Sequence, residues 1–378
     1  MNQSFEVIIA GLGAMGSAAA YHLARCGQRV LGLDCFAPPH TFGSSHGQTR
    51  IIREAYFEHP LYVPLVKRAY ELWAELEREC AQTLFRQTGG LMIGPPDGVL
   101  VKGAQHSAEL HQLPHTMLSA DEIRRRFPAF HPTDEMVAVW EPRAGILFPE
   151  ACVEAHLKLA RERGATLQFE EPITHWQADG AGVRVRTSRG DYYADRLLLA
   201  VGPWIQTLLA DLSLPLVIER QAFCLFEPAA HAEHFHPDHC PINLWEYAPD
   251  RFFYGFPDLG QGVKAAIHHE GEFIDPETVK RTVAPEEVEH IRAFVRRFLP
   301  DANGELRHST VCLYTNTPDS HFLIDFHPRH PQVLIVSPCS GHGFKFSSVM
   351  GEVLADLCLT GHSSFDLRPF QLNRMSRA

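Results

Sequence analysis

The N-terminal segment predicts a strand–helix–strand unit, which constrains the fold more than any other part of the chain. Residues 6–10 (EVIIA) form an apolar run rich in β-branched side chains, which is typical of a buried parallel strand. Residues 17–25 predict an alanine-rich helix that ends at Gly27, and residues 29–33 (RVLGL) predict a second buried strand. A parallel pair joined by a helix indicates an α/β fold.

Glycines between the first strand and the helix follow the spacing G-x-G-x-x-G. Gly11 allows a tight turn, Gly13 allows a phosphate group to approach the backbone, and Gly16 allows the helix to pack closely on the strand. Asp34, at the end of the second strand, can accept hydrogen bonds from ribose hydroxyls. A pyrophosphate would then bind at the positive end of the helix. The motif predicts dinucleotide binding, but by itself it does not distinguish NAD from FAD.

Two types of segment alternate along the rest of the chain. Buried apolar strands return at residues 197–202 and 333–337, whereas residues 216–227, 251–256 and 263–269 alternate as antiparallel strands do. Helices are predicted at residues 61–80, 120–128, 149–163, 285–299 and 345–358, and a hairpin at 188–190. We therefore expect a dinucleotide-binding domain built from residues 1–85, 145–215 and 317–378, interleaved with a substrate domain built from residues 86–144 and 216–316.

Composition excludes several classes of function. The 378 residues carry a net charge of −11 without a run of Lys or Arg, which disfavours nucleic acid or an anionic membrane as a partner. No apolar stretch approaches the ~20 residues that span a bilayer, and the N-terminus does not resemble a signal peptide. The nine cysteines are odd in number and contain no C-x-x-C pair. We expect a cytoplasmic protein without a disulfide framework or a zinc site.

Longer motifs carry a resemblance to a known family. Residues 43–53 (GSSHGQTRIIR) and 340–348 (SGHGFKFSS) resemble signatures of the monomeric sarcosine oxidase and N-methyltryptophan oxidase family, within the D-amino-acid-oxidase-like flavoproteins. Residues 254–257 (YGFP), Lys264 with His268, residues 311–315 (VCLYT) and residues 370–374 (FQLNR) are similar to that family as well. The resemblance extends in order from the first strand to the last ten residues.

The resemblance implies both an architecture and a reaction. The fold is a Rossmann-type FAD-binding domain joined to an α+β substrate domain with a mixed antiparallel sheet. The reaction is the oxidation of a secondary amine that carries a carboxylate, usually an N-methyl amino acid, with O2 as electron acceptor. The products are an aldehyde, the demethylated amino acid and H2O2. The family also implies a monomer.

By resemblance, the flavin is attached covalently through Cys312, because V-C-x-Y-T matches the flavin-linking segment of the family. Spacing alone favours the interpretation of Cys312 as one more buried thiol. The motifs predict the following cofactor-binding residues: Gly11, Gly13, Met15, Gly16, Asp34, Ser44, His46, Thr49, Arg50, Gly202, Cys312, Gly341, Gly343 and Lys345.

Arg53 and Lys345 match the pair that binds the substrate carboxylate in the family. A desolvated carboxylate needs cationic donors, and these residues supply a planar fork and a point charge. Arg50 is expected one helical turn before Arg53, beside the flavin by resemblance; the alternative is that both arginines are solvated helix charges.

Lys264 and His268 lie four residues apart on a predicted strand and therefore on one face. Lys264 matches the lysine that promotes reaction of the reduced flavin with oxygen, for which a fixed cation is suited. With Arg50, we assign Lys264, His268 and Tyr254 to catalysis. Tyr254, His268 and Tyr314 are expected to line the substrate cavity, although each could be an ordinary core residue.

Several positions depart from the family pattern. Glu54 stands where a basic residue is common, Pro338 and Cys339 replace small residues, and Leu244 and Trp245 are expected in a cavity wall. These departures put sarcosine itself in doubt as the substrate. A bulkier N-methyl amino acid or a cyclic imino acid of the pipecolate or proline type is left open.

Rival interpretations concern the electron acceptor, the nucleotide and a histidine tract. A flavin dehydrogenase that passes electrons to another carrier remains possible, as does an NAD(P)-dependent dehydrogenase or a nucleotide-binding regulator. His231, His234, His236 and His239 with Cys240 resemble a metal tract, but the loop contains Pro237 and no supporting framework, so we interpret it as solvated and predict no metal.

Overall fold

The computed structural model describes residues 4–377 and contains two large β-sheets and a small three-stranded one. The helices are α1 (Ala14–Arg25), α2 (Val63–Cys80), α3 (Val99–Leu110), α4 (Ala120–Arg126), α5 (Pro149–Glu162), α6 (Ile205–Leu208), α7 (Pro285–Phe298) and α8 (Ser347–Thr360). The strands are β1 (Ser4–Ala10), β2 (Val30–Leu33), β3 (Arg50–Ile52), β4 (Phe85–Gln87), β5 (Gly90–Gly94), β6 (Thr116–Ser119), β7 (Val137–Glu141), β8 (Gly145–Leu147), β9 (Thr166–Gln168), β10 (Ile173–Asp179), β11 (Gly182–Thr187), β12 (Asp191–Leu199), β13 (Val217–Phe226), β14 (Ile242–Ala248), β15 (Arg251–Phe256), β16 (Val263–His268), β17 (Glu272–Phe273), β18 (Leu306–Asn316), β19 (Leu323–His327) and β20 (His330–Ser337).

The first sheet has a parallel centre in the order β9-β2-β1-β12-β20, to which β10, β11 and β19 add antiparallel edges. Ile8, Ile9 and Ala10 of β1 are fully buried, as expected for a strand covered on both faces. Helix α1 packs between α5 and α8 on one face of the sheet. This arrangement confirms the predicted α/β fold of the N-terminal unit.

The second sheet is almost entirely antiparallel and runs β17-β13-β16-β15-β14-β5-β7-β6, with β18 beside β13. Its register places Tyr254 opposite Ala266, and Gln221 opposite Cys312. Because side chains alternate along a strand, Lys264 and His268 lie on the same face as Ala266. The opposite face packs on α7, so only one face of the sheet is available to a ligand.

Residues 50–52 form strand β3 of a small sheet with β8 and β4, so the helix predicted at residues 50–53 is wrong. Arg50 pairs with Leu147 and Ile52 with Gly145 across the antiparallel pair β3–β8. Since β3 is a strand, Arg50 and Arg53 do not share a helical face, and the interpretation of both as solvated helix charges is wrong. Ile52 and Arg53 are buried, and the apolar Ile pair serves β pairing rather than a helix.

The predicted domain boundaries are not tested by this arrangement and stay a prediction. Within residues 4–377, no helix is both long and apolar enough to cross a membrane.

Candidate active site

The glycine loop lies where β1 meets the start of α1, and close contacts require its glycines. Gly11 has a φ of +84°, and a Cβ atom there would lie 2.5 Å from the carbonyl oxygen of Ala200. A Cβ atom at Gly16 would lie 1.8 Å from the carbonyl oxygen of Gly11, so the first turn of α1 packs directly on the loop. Helix α1 has neither a side-chain cap at Gly13 nor an acidic residue in its first turn. The N–H of Ala14 donates to Ser45 Oγ at 3.1 Å, and no acidic side chain opposes a pyrophosphate at the positive end of the helix.

Asp34 holds the edge of this loop. The buried Asp34 carboxylate accepts hydrogen bonds from the backbone N–H groups of Leu12 at 2.7 Å and Phe36 at 2.9 Å. A carboxylate accepts more than two hydrogen bonds, which leaves capacity for a ribose hydroxyl. The loop and Asp34 together fit the adenosine diphosphate part of a dinucleotide.

One cavity of about 720 Å³ runs from the glycine loop to the face of the second sheet. The predicted site residues that line it are Gly11, Gly13, Met15, Asp34, Ser44, Thr49, Arg50, Arg53, Gly202, Tyr254, Lys264, His268, Cys312, Tyr314, Gly341, Gly343 and Lys345. Gly16 lies behind the wall, where it permits the packing of α1. His46 is also buried behind the wall, and its Nε2 atom has no hydrogen-bond partner among the described residues. Contact of His46 with a cofactor stays a prediction.

Cys312 lies beside Arg50 in the middle of the cavity. Arg50 donates hydrogen bonds to the carbonyl oxygens of Ser44 and Thr49, both at 2.8 Å, and its Nη2 atom lies 3.4 Å from Cys312 Sγ. The guanidinium is therefore held by two backbone acceptors and points its charge at the thiol.

Lys264 is buried below the same loop. Its Nζ atom donates to the carbonyl oxygens of Gly47 at 2.8 Å and Thr49 at 3.1 Å, and to Thr49 Oγ1 at 3.0 Å. It also lies 4.1 Å from the ring centroid of Phe223. Burial, followed by the charge of Arg50, holds the pKa of Lys264 well below its usual value. Lys264 is thus held in a fixed position by three acceptors, and its environment disfavours the charged ammonium form.

Arg53 forms a bidentate ion pair with Glu58 at the other end of the cavity. The Arg53 Nη2 atom lies 2.7 Å and 2.6 Å from the two carboxylate oxygens of Glu58, and Nη1 donates to the carbonyl oxygen of Ala55 at 3.0 Å. The rings of Tyr56 and Phe57 cover the guanidinium at 4.4 and 4.7 Å. Burial raises the pKa of Glu58, but Arg53, His342 and Lys345 together lower it below its ordinary value. Glu58 therefore occupies the Nη2 atom of Arg53 inside the cavity.

Lys345 completes this cationic end. Its Nζ atom donates to the carbonyl oxygen of His342 at 2.7 Å and lies 3.4 Å from the Tyr56 hydroxyl. Burial, followed by the charge of Arg53, lowers the pKa of Lys345 to about 7, although Glu58 opposes the shift. The charge of Lys345 therefore changes close to neutral pH.

His268 and Tyr314 form a third wall. The His268 Nδ1 atom lies 3.2 Å from the Tyr314 hydroxyl, and both rings pack against Gly341, where a Cβ atom would lie 2.8 Å from either ring. Burial and the nearby His269 hold the pKa of His268 well below its usual value. His268 is thus a neutral ring at physiological pH.

Of the residues that depart from the family pattern, some line the cavity and others lie outside it. Leu244 lines the cavity, but the expectation for Trp245 is wrong: its side chain lies on the opposite face of β14 and stacks on Phe298 at 4.5 Å. Glu54 is buried outside the cavity with its carboxylate 3.1 Å from Arg143. Pro338 lines the cavity, and a Cβ atom at Gly343 would lie 1.7 Å from its carbonyl oxygen.

Three contributors to the site were missing from the sequence prediction. Glu58 balances Arg53, and Tyr56 is hydrogen-bonded to His342 Nδ1 at 2.6 Å. Glu141 binds the backbone after Arg53 from a strand distant in sequence. The five-residue spacing of Arg53 and Glu58 could have suggested an ion pair, but no sequence pattern marks Glu141.

The histidine tract lies away from this cavity. His231 is exposed and its Nδ1 atom lies 2.9 Å from an oxygen of Asp301, while Cys240 is buried. One potential ligand atom from each of His231, His234 and Asp301 lies within 4.8 Å of the other two. The prediction that no metal binds here stays a prediction.

Comparisons with known proteins agree with this geometry. Residues 6–357 match the family model described as FAD dependent oxidoreductase. The chain is 45% identical to a monomeric sarcosine oxidase of Streptomyces avermitilis, with all of both chains covered. It is 36% identical to an N-methyl-L-tryptophan oxidase of Salmonella newport, covering 99% of this chain and 100% of the relative.

Solved structures share the fold at lower identity. NikD, described as an unusual amino acid oxidase essential for nikkomycin biosynthesis, aligns with a TM-score of 0.85 at 24% identity over 98% of each chain. An L-proline dehydrogenase from P. horikoshii aligns with the same TM-score of 0.85 at 21% identity, over 100% of this chain and 99% of that one.

The family match over most of the chain agrees with the glycine loop, Asp34 and the cavity that continues to Cys312. The chain belongs to the FAD-dependent oxidoreductases, in the group that contains the monomeric sarcosine oxidases and the N-methyl-L-tryptophan oxidases.

Proposed function

We propose that this protein is an FAD-dependent oxidase that demethylates an N-methyl amino acid with O2, giving H2O2, an aldehyde and the amino acid. One observation carries the proposal: a single cavity contains the glycine loop, Cys312 and Lys264 at one side and the cations Arg53 and Lys345 at the other. The names of the relatives support the substrate class, since they include oxidases of sarcosine and of N-methyl-L-tryptophan.

The cationic end selects a carboxylate. Arg53 presents a planar fork and Lys345 a point charge, which together can bind a desolvated carboxylate. The substrate has to displace Glu58 from Arg53, because both Glu58 oxygens bind Nη2 while Nη1 binds the carbonyl oxygen of Ala55. Binding therefore exchanges one carboxylate for another, and this exchange keeps the buried Arg53 charge compensated.

FAD, when bound, supplies a two-electron acceptor for the C–H bond next to the substrate nitrogen. The residues of the chain orient the amine and exclude water. His268 stays neutral and offers a hydrogen-bonding ring beside Tyr314. No separate base is required for the transfer of a hydride equivalent from a carbon next to a neutral amine.

Lys264 is assigned to the oxygen half-reaction. Its ammonium form stabilises negative charge that develops when O2 is reduced, an effect that is large in a site with little water. Burial disfavours that form at rest, so developing negative charge and the protonation of Lys264 support each other.

Covalent attachment through Cys312 is part of the proposal. The Cys312 Sγ atom would form a thioether with the 8α carbon of the flavin; the thiol and the methyl group each lose a proton, and the two electrons pass to the flavin. Cys312 lines the same cavity as the glycine loop, and its Sγ atom lies 3.4 Å from Arg50 Nη2.

We further propose that one chain is the functional unit, because one chain supplies every residue named above. A reducing cytoplasm suits its nine cysteines, all of which are free.

A direct test is a panel of N-methyl and cyclic amino acids assayed for peroxide after the visible spectrum of the purified protein has been recorded. A flavin spectrum and peroxide from N-methyl amino acids support the proposal. Activity restricted to cyclic imino acids would show that the substrate is of that class and not an N-methyl amino acid. Dye reduction without peroxide would indicate a dehydrogenase instead.

A further inference from the structure

We propose that Glu141 is a positioning residue that orients Arg53 for the substrate carboxylate by binding the backbone directly after it. The inference rests on the proposed role of Arg53 in the proposed function. Glu141 does not line the cavity, so it acts only through the turn that it holds.

Glu141 binds two consecutive peptide groups. Its side chain is 1% exposed, one carboxylate oxygen accepts from the N–H of Glu54 at 2.7 Å, and the other accepts from the N–H of Ala55 at 2.8 Å. A carboxylate can satisfy two donors through two oxygens, whereas an amide side chain offers only one acceptor oxygen. The arrangement therefore requires an acid rather than a neutral amide.

Ala55 connects this carboxylate to Arg53. Its N–H is bound by Glu141, and its carbonyl oxygen accepts from Arg53 Nη1 at 3.0 Å. The other nitrogen of the fork binds Glu58, which the substrate has to replace. When Glu58 leaves, the contact to Ala55 is the remaining backbone anchor of the guanidinium. The position of Ala55 then decides where the fork points.

The same part of the chain fixes the backbone on both sides of Arg53. Before Arg53, β3 pairs with β8. After Arg53, Glu141 at the end of β7 holds the turn, and Arg143 lies 3.1 Å from the Glu54 carboxylate. Because residues 142–144 join β7 to β8, one short connection links the two attachments, and Arg53 lies between them.

The cost of burying Glu141 supports a positional role. Burial raises the pKa of Glu141 to about 7, although the N–H groups of Glu54 and Ala55 oppose the shift. Among the described residues, no Lys or Arg forms an ion pair with it. A buried carboxylate without a paired cation is unfavourable for stability. We infer that position 141 carries a glutamate because two acceptor oxygens are needed there, and not because the buried carboxylate stabilises the fold.

The test compares Glu141→Gln with a matched control in the holoenzyme. Glu77, on α2 outside the cavity, also accepts from two consecutive N–H groups, those of Leu84 at 2.8 Å and Phe85 at 3.0 Å, but both bind its Oε1 atom. Benzoate binding is measured by the change in flavin absorbance, and KM and kcat are measured with an N-methyl amino acid. We expect E141Q to weaken benzoate binding and raise KM by about tenfold, since a buried N–H loses its acceptor, with kcat little changed. E77Q keeps one acceptor oxygen for both N–H groups and should leave both constants unchanged.

Unchanged benzoate affinity and KM in E141Q, or equal losses in E77Q, would overturn the inference. Glu141→Asp serves where E141Q does not fold, since it keeps both oxygens on a shorter side chain and should weaken benzoate binding less than tenfold. A lower Tm in E141D with neither benzoate affinity nor KM changed would contradict the proposal. A wild-type protein that binds benzoate but oxidises no secondary amine would refute the proposed function, while benzoate still tests Glu141. Failure to bind any carboxylate overturns both.

Discussion

Arg53 and Glu58 form a bidentate ion pair inside the cavity, with both carboxylate oxygens within 2.7 Å of one guanidinium nitrogen. Removing one partner of a buried pair leaves an uncompensated charge, so Glu58 stabilises Arg53 before substrate arrives. The same contact makes Glu58 a competitor of the substrate carboxylate. Glu58 should therefore oppose substrate binding while it supports folding.

The variant Glu58→Gln tests this competition. We expect KM for an N-methyl amino acid to fall about tenfold, because the substrate no longer displaces a charged group, and Tm to fall because Arg53 loses its partner. The control is the methyl ester of the same substrate, whose KM should not fall. A KM that rises in E58Q would contradict the competition between Glu58 and the substrate carboxylate.

The variant Arg53→Met tests the carboxylate site itself. It should raise KM for the N-methyl amino acid by about a hundredfold with FAD retained.

Lys345 predicts a pH dependence of substrate binding. Its pKa of about 7 in the free protein means that it is charged below pH 7 and neutral above. A bound carboxylate favours the charged form, so KM should rise as pH increases through 7, by up to about tenfold per pH unit. Lys345→Gln should remove this slope and raise KM at pH 6. Lys158, exposed on α5, gives the control K158Q, which should keep the wild-type profile. A wild-type KM that is flat from pH 6 to 8 would refute the assignment.

Lys264→Met should separate the two half-reactions. Reduction by substrate under anaerobic conditions should proceed at nearly the wild-type rate, whereas reoxidation by O2 should slow by about a hundredfold or more, because the cation that stabilises the developing negative charge is lost. Stopped-flow absorbance of the flavin measures both rates. Lys158→Met is the control, and normal reoxidation of K264M would make Lys264 a structural residue.

Cys312→Ala should release the flavin. After acid precipitation, the wild-type pellet should stay yellow and the C312A pellet should be colourless, with the flavin in the supernatant. Cys224 is buried on the neighbouring strand β13 within the core on the other face of the sheet, so C224A is the matched control and should keep its colour. A colourless wild-type pellet would show that the linkage is absent.

Much of the fold could be predicted because its patterns are local. The unit from β1 to β2, the capping box at Ser119 and the amphipathic helices α2, α5 and α7 agree with the structure to within a few residues at their ends. The capping box and helix patterns depend on residues three or four positions apart, so the sequence alone reveals them.

The errors arose where distant segments decide the structure. Residues 50–53 resembled a helix, but β8 pairs with them and makes a strand. Trp245 and Leu244 are neighbours in sequence, and only the sheet determines which of them faces the cavity. Helix α3 (Val99–Leu110) was not predicted.

The site shows the same division. Arg53, Lys264, Cys312 and Lys345 lie within motifs, and the structure brings them into one cavity. Glu58 and Glu141 matter through contacts that depend on the fold, and Glu141 binds residues more than eighty positions away. A single sequence carries no local pattern for such a contact.

The most direct test of the central claim is anaerobic titration of the purified protein with sarcosine and with larger N-methyl amino acids, followed by admission of air. The account predicts an oxidised flavin spectrum that bleaches with at least one of these substrates and returns in air with one H2O2 formed per substrate consumed. A colourless protein, or a flavin that no N-methyl amino acid reduces, would contradict it.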